Sequence, residues 1–430
     1  MMKREIQVDE RLPLLQTIPL SLQHLFAMFG STVFVPILFK VDPATILLFN
    51  GIGTLLYLLI CRGKIPAYLG SSFAFISPVM MVLPKYGYEA ALGGFIVVGI
   101  IFTVVALIIK ATGTGWLDVI FPPAAMGAIV AVIGLELAPV AAGMAGLIPD
   151  PKGLVPMDPK VITVSLFTLA VTLIGSVVFR GFLAIIPILF GVLAGYALAG
   201  FMGMVNWQPV AEASWVALPT YYAPRFDWSA IAIIAPAALV VVAEHVGHLI
   251  VTGNIVGKDL SRDPGLDRSL LGNGLSTIFS GFFGSTPNTT YGENIGVMAI
   301  TKVYSTWVLG IAAIIAIVLS FVGKLSAAIQ AIPSAVMGGV SLLLFGVIAA
   351  SGVRMLVESK VDYSKASNLI LTSVVLLIGV SGAQIQWGAI ALKGMALATV
   401  VAIFLSLLFK VFEVTGLSNE GPVEKRRDSH

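Results

Sequence analysis

Apolar runs bounded by Gly, Pro and charged residues recur along the whole chain. They fall at roughly 18–39, 44–61, 68–83, 90–109, 123–142, 161–179 and 184–205, and again at 230–256, 270–283, 285–299, 303–322, 333–350, 367–380 and 392–412. A full helical crossing of a bilayer takes roughly 20 apolar residues, so the pattern predicts about fourteen spans in two sets of about seven. The runs at 68–83, 270–283 and 285–299 are short for a full crossing. The expected fold class is an all-α polytopic membrane protein.

One stretch departs from that pattern. Residues 284–302, GSTPNTTYGENIGVMAITK, open with Ser285, Thr286, Pro287, Asn288, Thr289, Thr290 and Tyr291, and place Gly292, Glu293 and Asn294 before any apolar run begins. Pro and the Thr/Asn cluster favour an extended entry, Gly292 is free to adopt angles barred to other residues, and 295–300 resumes a helical pattern. The stretch predicts a short extended piece followed by a half-helix at membrane depth. Transporters build midplane sites from such broken elements.

The two halves repeat. FPPAAMGAIVAVIG at 121–134 matches IPSAVMGGVSLLLFG at 332–346 through a shared P-x-A-x-M-G, and LLFNGIGTLL at 47–56 matches LLGNGLSTIF at 270–279. LGSSFAFIS at 69–77 falls opposite FGSTPNTTY at 283–291, and QHLFAMFG at 23–30 opposite EHVGHLIV at 244–251. Four matches in one order, with an odd number of spans per unit, imply two units of opposite membrane orientation. In this alignment Gly70, Ser71 and Ser72 stand opposite Gly284, Ser285 and Thr286. Each half then supplies a short antiparallel strand, in segments 3 and 10, and the leftover amides point at a substrate.

Composition narrows the class. Of 430 residues 58% are hydrophobic and 11% charged, which excludes an ordinary soluble enzyme. The net charge of +3 comes without any basic stretch interleaved with aromatics, so nucleic acid is not an expected partner, whereas membrane lipid is. With the N-terminus on the cytoplasmic side, 18 of the 25 Lys and Arg residues fall inside and 7 outside, which favours both termini cytoplasmic. The inside set includes Lys3, Arg4, Lys425, Arg426 and Arg427, and the outside set Lys152; the long polar connections 146–160 and 206–228 then lie outside. Cys61 is the single cysteine and forms no internal disulfide. No cleavage site precedes the first apolar run, so that helix is expected to be retained.

Few acidic side chains lie inside the spans, and Glu244 and Glu293 stand out. A carboxylate at membrane depth costs on the order of 2.5–3.5 kcal/mol and normally faces a cavity. Glu244 and His248, four apart, share a helix face, and an imidazole beside a carboxylate is suited to proton exchange near neutral pH. His245 projects about 100° away and is expected to bond a backbone carbonyl. The order E-H-x-x-H differs from the H-E-x-x-H of zinc proteases, and no further ligand cluster is visible, so no metal is expected. Glu136, near the end of its span, reads as a solvated helix-end carboxylate. Phe73 and Tyr291 stand at the two strand tips. Aromatic faces, two carboxylate acceptors and unpaired amides near Phe73 and Gly292 suit a flat ring with N–H and C=O groups on its edge, such as a pyrimidine base.

At these residues the chain resembles the nucleobase–ascorbate (nucleobase–cation symporter 2) family. The family signature appears as Glu293, Asn294, Gly296, Thr301 and Lys302, its Gln-His pair as Gln23 and His24, and its Ala-Glu pair as Ala243 and Glu244. The resemblance runs from PLLQTIPLSLQHLFAMFG at 13–30 to the last span. It implies fourteen segments in two inverted repeats, with a core domain at 15–116 and 229–307, a gate domain at 117–228 and 308–415, and short cytoplasmic ends at 1–14 and 416–430. It further implies a substrate site of Phe73, Glu244, Tyr291, Gly292 and Glu293, supported by Ser72, Asn294, Gln23 and His24. His248 and Glu244 are the residues expected to couple a proton, with no other cofactor. The surrounding SGFFGSTPNTTYGENIGVMAITKVYSTW at 280–307 favours uracil over xanthine, urate or another purine, while Phe345 lacks a hydroxyl where a Tyr would also fit. The expected activity is alternating-access import across the cytoplasmic membrane, and apolar gate faces are compatible with a homodimer. An intramembrane metalloenzyme using Glu244, His245 and His248 is the alternative from another class; a channel is disfavoured because no continuous polar helix face is apparent.

Overall fold

The computed structural model describes residues 5–149, 157–181, 183–388 and 390–419. Lys3, Arg4, Lys152, Lys425, Arg426 and Arg427, the middle of the 146–160 connection, and the tail from residue 420 lie outside the described residues.

Every apolar run carries helix. The first holds α1 (Leu14–Ala27) and α2 (Phe29–Phe39), joined at Met28. There follow α3 (Pro43–Ile60), β1 (Leu69–Ser71), a 3₁₀ turn Phe73–Phe75, α4 (Ile76–Tyr86) and α5 (Tyr88–Thr112). Next come α6 (Gly115–Ile120), α7 (Pro123–Met144), α8 (Pro159–Val178) and α9 (Pro187–Phe201). The second half contains α10 (Gln208–Glu212), α11 (Trp228–Ile234), α12 (Ala237–Val256), α13 (Leu266–Phe282), β2 (Asn288–Thr290) and α14 (Gly292–Thr301). It closes with α15 (Thr306–Ser320), α16 (Gly323–Gln330), α17 (Ser334–Glu358), α18 (Ala366–Val380), a hairpin of β3 (Gln384–Trp387) and β4 (Ile390–Lys393), and α19 (Gly394–Thr415). Among the described residues, eight helices or joined helix pairs are long and apolar enough to cross a membrane, and four further apolar helices are shorter.

Local sequence sets the ends of these helices. Asp42 caps α3 by accepting the Ala44 N–H, with Pro43 in the first turn, and Asp158 does the same for α8 ahead of Pro159. α12 stops at Gly257 and α19 at Gly416, both left-handed.

The interrupted segments meet as strands. β1 and β2 pair antiparallel, Leu69 with Thr290, Gly70 with Thr289 and Ser71 with Asn288. In the repeat alignment 70–72 stand opposite 284–286, whereas the strand of the second half begins only at Asn288, four residues beyond Gly284. Gly284 sits at φ 94° and turns the chain, so 284–287 form a connecting loop. Two threonines hold the strand starts: Thr54 Oγ1 accepts the Leu69 N–H at 2.9 Å, and Thr277 Oγ1 accepts the Asn288 N–H at 3.2 Å. Thr54 and Thr277 occupy the same place in the LLFNGIGTLL/LLGNGLSTIF match.

Packing between the halves is reciprocal. α3 lies on α15 and α13 on α5; α1 lies on α15 and α11 on α5; α8 lies on α17 and α18 on α7. Exchanging each helix for its counterpart in the other half carries the first of each pair into the second. α7 and α17 cross most closely: a Cβ on Gly134 would meet the Phe345 backbone oxygen at 2.2 Å, and one on Gly352 the Ala131 nitrogen at 2.2 Å. Small residues let the two backbones touch, as membrane helix interfaces require.

Two groups of elements result, one around α3, α5, α13 and α15 and the other around α7, α8, α17 and α18. The position 307/308 lies in the first turn of α15, which packs on α3 and α1. Ile6 bridges Val303, with Ile6 N–H to Lys302 O at 2.9 Å and Tyr304 N–H to Ile6 O at 2.8 Å.

Candidate functional site

Each broken segment ends its strand at the start of a helix whose N-cap residue makes no side-chain cap. α14 begins at Gly292 after an extended Tyr291, and the 3₁₀ turn begins at Phe73 after an extended Ser72; neither preceding residue caps with its side chain. First-turn N–H groups have no partner within their own helix and carry partial positive charge, so both starts favour acceptor atoms.

Between them lies a cavity of about 270 Å³. Phe73, Glu244, His248, Tyr291, Gly292 and Glu293 all line it, so the structure brings together six residues drawn from three separate stretches. Thr289, Thr290, Val130 and Gly296 complete the inner wall, and Ser351, Arg354 and Glu358 of α17 line its far end with Ile255 and Ala299. The size is just under the roughly 300 Å³ lower end of small-molecule pockets, which suits a single ring.

The geometry of each group is set by neighbours. His248 Nδ1 lies 3.1 Å from Thr290 Oγ1, and a Cβ on Gly292 would stand 3.4 Å from its Nε2, so the other ring nitrogen faces the start of α14. Glu244 and His248 share a cavity wall, while the hydrogen bond of His248 goes to β2. Among the described residues neither carboxylate is in an ion pair, and Glu244 stands beside the Thr289 hydroxyl. Tyr291 is buried, and its hydroxyl donates to Ser71 O at 2.9 Å, which lays the ring over Gly70.

The supporting residues stand behind this wall. Asn294 Nδ2 donates to His24 O at 3.0 Å and lies 3.1 Å from His24 Nδ1, tying α14 to α1. Gln23 and Ser72 do not line the cavity; the Ser72 N–H donates to Pro287 O at 3.0 Å. His245 is corrected in its partner: Nε2 lies 2.8 Å from Ser269 Oγ, which in turn lies 2.6 Å from the Tyr57 hydroxyl. Its Nε2 is thus taken up by Ser269, and the ring lines a small pocket together with His248 and Thr290. Glu136 is corrected too. It is not a solvated carboxylate; Oε2 accepts the Met395 N–H at 2.8 Å and fastens α7 to the start of α19.

Nothing in the local sequence marks Val130 or the α17 residues Ser351, Arg354 and Glu358 as lining the cavity, because they come from the second group of helices and meet the site where α7 and α17 pack against α12. Thr289 and Thr290 lie inside the polar opening of the 284–302 stretch, where strand alternation places their neighbours on opposite faces.

Paired interrupted segments whose helix starts converge on a carboxylate-lined cavity are the architecture of a membrane carrier. Comparison with known proteins gives the same class. The family model described as Permease family matches residues 15–388. The uracil permease of Escherichia coli (strain K12) is 72% identical over 414 residues, covering 96% of each chain. That of Paenibacillus larvae subsp. larvae is 67% identical, covering 98% of this chain and all of the relative. The structure of the murine Slc26a9 anion transporter in its inward-facing state superposes with a TM-score of 0.69 at 13% identity, over 94% of this chain and 69% of the other, and so shares the fold. The chain belongs to the permease family and is a multi-pass membrane transporter.

Proposed function

We propose that the protein imports uracil together with a proton across the cytoplasmic membrane by alternating access, with both termini in the cytoplasm. The observation that carries this is the cavity: two carboxylates outside any ion pair, two uncapped helix starts and two aromatic rings in one enclosure. Uracil presents two N–H donors and two carbonyl acceptors on the edge of a flat ring. Glu244 and Glu293 accept the N–H groups, the amides near Phe73 and Gly292 donate to the carbonyls, and Phe73 and Tyr291 cover the faces. The names of the two bacterial relatives support the same base. His248 and Glu244 exchange the coupled proton, and Ser72, Gln23, His24 and Asn294 support the wall. The moving bodies are the group around α3 and α15 and the group around α7 and α17, corresponding to core and gate, with lipid against their exposed apolar faces.

The test is uptake of labelled uracil into vesicles holding the protein, with and without an inward proton gradient, challenged by excess xanthine, hypoxanthine and thymine. Gradient-dependent uptake that resists the purines supports the reading, and uptake of a purine in place of uracil overturns the substrate. Glu244→Ala and Glu293→Ala are each expected to abolish uracil binding; near-normal affinity in both removes the site assignment.

A further inference from the structure

Three rings stop one end of the cavity. Phe34 of α2, Phe73 and Phe345 of α17 meet edge to face: Phe34 and Phe345 at 5.2 Å and 85°, Phe73 and Phe345 at 5.6 Å and 85°, Phe34 and Phe73 at 6.4 Å and 63°. Phe34 is 0% exposed and Phe345 1%. α17 lines the cavity only from Val347 onward, so Phe345 stands just beyond its closed end. At the other end Arg354 and Glu358, paired at 2.6 Å, are 66% and 42% exposed. One end is open and polar, the other dry and aromatic.

The rings belong to different bodies. Phe34 and Phe73 sit on the group around α3, and Phe345 on the group around α7 and α17. The same seam continues at Gly30, four residues before Phe34, where a Cβ would lie 3.1 Å from Ile188 of α9 and 3.7 Å from Leu344. We propose that Phe34, Phe73 and Phe345 form the gate through which substrate enters from the side opposite Arg354 and Glu358, with Phe34 as a gating residue that does not itself line the cavity. The inference rests on the proposed alternating access for the movement of the two bodies. Relative motion breaks the two contacts made by Phe345 and leaves the Phe34–Phe73 contact within one body. Edge-to-face rings exclude water when together and leave no unpaired polar group when apart. A Tyr in place of Phe345 would bring a hydroxyl into that dry cluster.

Cys61 is the single cysteine and is buried, so Cys61→Ser gives a clean background. Ala299→Cys then places a thiol on the cavity wall of α14, and its reaction with a membrane-impermeant maleimide is followed in inside-out and right-side-out vesicles. Labelling is expected to be several-fold faster from the Arg354 side. Phe34→Ala and, separately, Phe345→Ala are expected to raise the rate from the opposite side relative to the Arg354 side several-fold; Phe34→Leu, which keeps apolar bulk, serves if either fails to assemble and is expected to give a smaller rise. An unchanged ratio in the variants that purify folded, or equal rates from both sides in the parent, overturns the gate. Loss of uracil uptake in the parent with ring-dependent labelling intact overturns the substrate instead.

Discussion

Gly70→Ala places the smallest possible perturbation against the substrate site. Gly70 has an ordinary negative φ, so alanine meets no backbone strain and the effect is one of contact alone. A Cβ there would stand 2.2, 2.4 and 2.6 Å from Cε2, Cζ and the hydroxyl oxygen of Tyr291. The ring has to move, and its bond to Ser71 O breaks. Overpacking of this kind costs about 1–3 kcal/mol and the lost hydrogen bond about 1 kcal/mol, which gives roughly 2–4 kcal/mol. Tyr291 is walled in on the strand side, so the ring swings toward the cavity and the cost falls on uracil binding. At 1.4 kcal/mol per tenfold the affinity drops roughly 30- to 700-fold. Titration calorimetry on purified protein measures this, with Tyr291→Ala and the double variant completing a cycle. Removing the ring removes the clash, so the double variant is expected to match Tyr291→Ala. Normal affinity in Gly70→Ala, or additive losses in the double variant, would refute the placement of the ring.

Three other outcomes follow from the geometry. Thr277→Val strips the buried Asn288 N–H of its acceptor and should cost about 1–3 kcal/mol, and Thr54→Val should cost a similar amount at Leu69; thermal unfolding that shows a loss in only one of the two would contradict the reciprocal clips. His248→Ala should leave uracil binding largely in place and reduce accumulation driven by a pH gradient; unchanged gradient-driven uptake removes His248 from coupling. At Asp42, burial pushes the carboxyl up, but hydrogen bonds from Ser326, Thr220 and Ala44 outweigh it and hold it below the usual aspartate range. A carboxyl lowered in the fold contributes stability fully above its unfolded value, roughly 3.9, and loses it as pH falls through the lower folded value. Protease nicking within 206–228 should therefore stay slow down to that acid range in the parent and be fast already at neutral pH in Asp42→Ala.

Much of this arrangement is legible in the residues because membrane depth removes alternatives. Backbone polar groups cannot stay unpaired in lipid, so the polar opening before Gly292 has to be an interruption that something else satisfies, and the GSS run at 70–72 marks its partner. Register was not legible in the same way. Matching GSS to GST puts the strand at Gly284, whereas the chain spends 284–287 on a turn before Asn288 takes up the pairing. Glu136 shows a second limit. Its position in the helix suggests water, and only the arrival of α19 from more than 250 residues away supplies the Met395 amide. The β3–β4 hairpin is hidden for a different reason: most of it falls in the short gap between the apolar runs ending at 380 and beginning at 392, which reads only as a connection.

The connections between the two bodies indicate where motion has to be absorbed. The chain returning from α9 is fastened to the α3 group well before α11 begins. The Ala217 N–H donates to Phe321 O and the Gly323 N–H to Trp215 O. Thr220 donates to Asp42, which also takes the Ser326 hydroxyl at 2.6 Å, and the Asp42 N–H donates to the Tyr222 hydroxyl. Farther on, the Arg225 N–H donates to Glu89 O and its guanidinium to Tyr86 O. These partners lie on α3, α4, α5 and the α15–α16 connection, all on one side. Residues 215–225 are therefore hydrogen-bonded to the α3 group although they precede the 228/229 division. What remains unfastened among the described residues is short: the turn at Gly203, φ 71° with open space around it, and the step from α16 to Pro333. The third crossover, between α5 and α7, has Gly113 at φ 79° in the same open setting. The proposed alternating access would place its motion in the dihedrals of these few residues, because the longer stretches on either side of them are hydrogen-bonded to one group or the other.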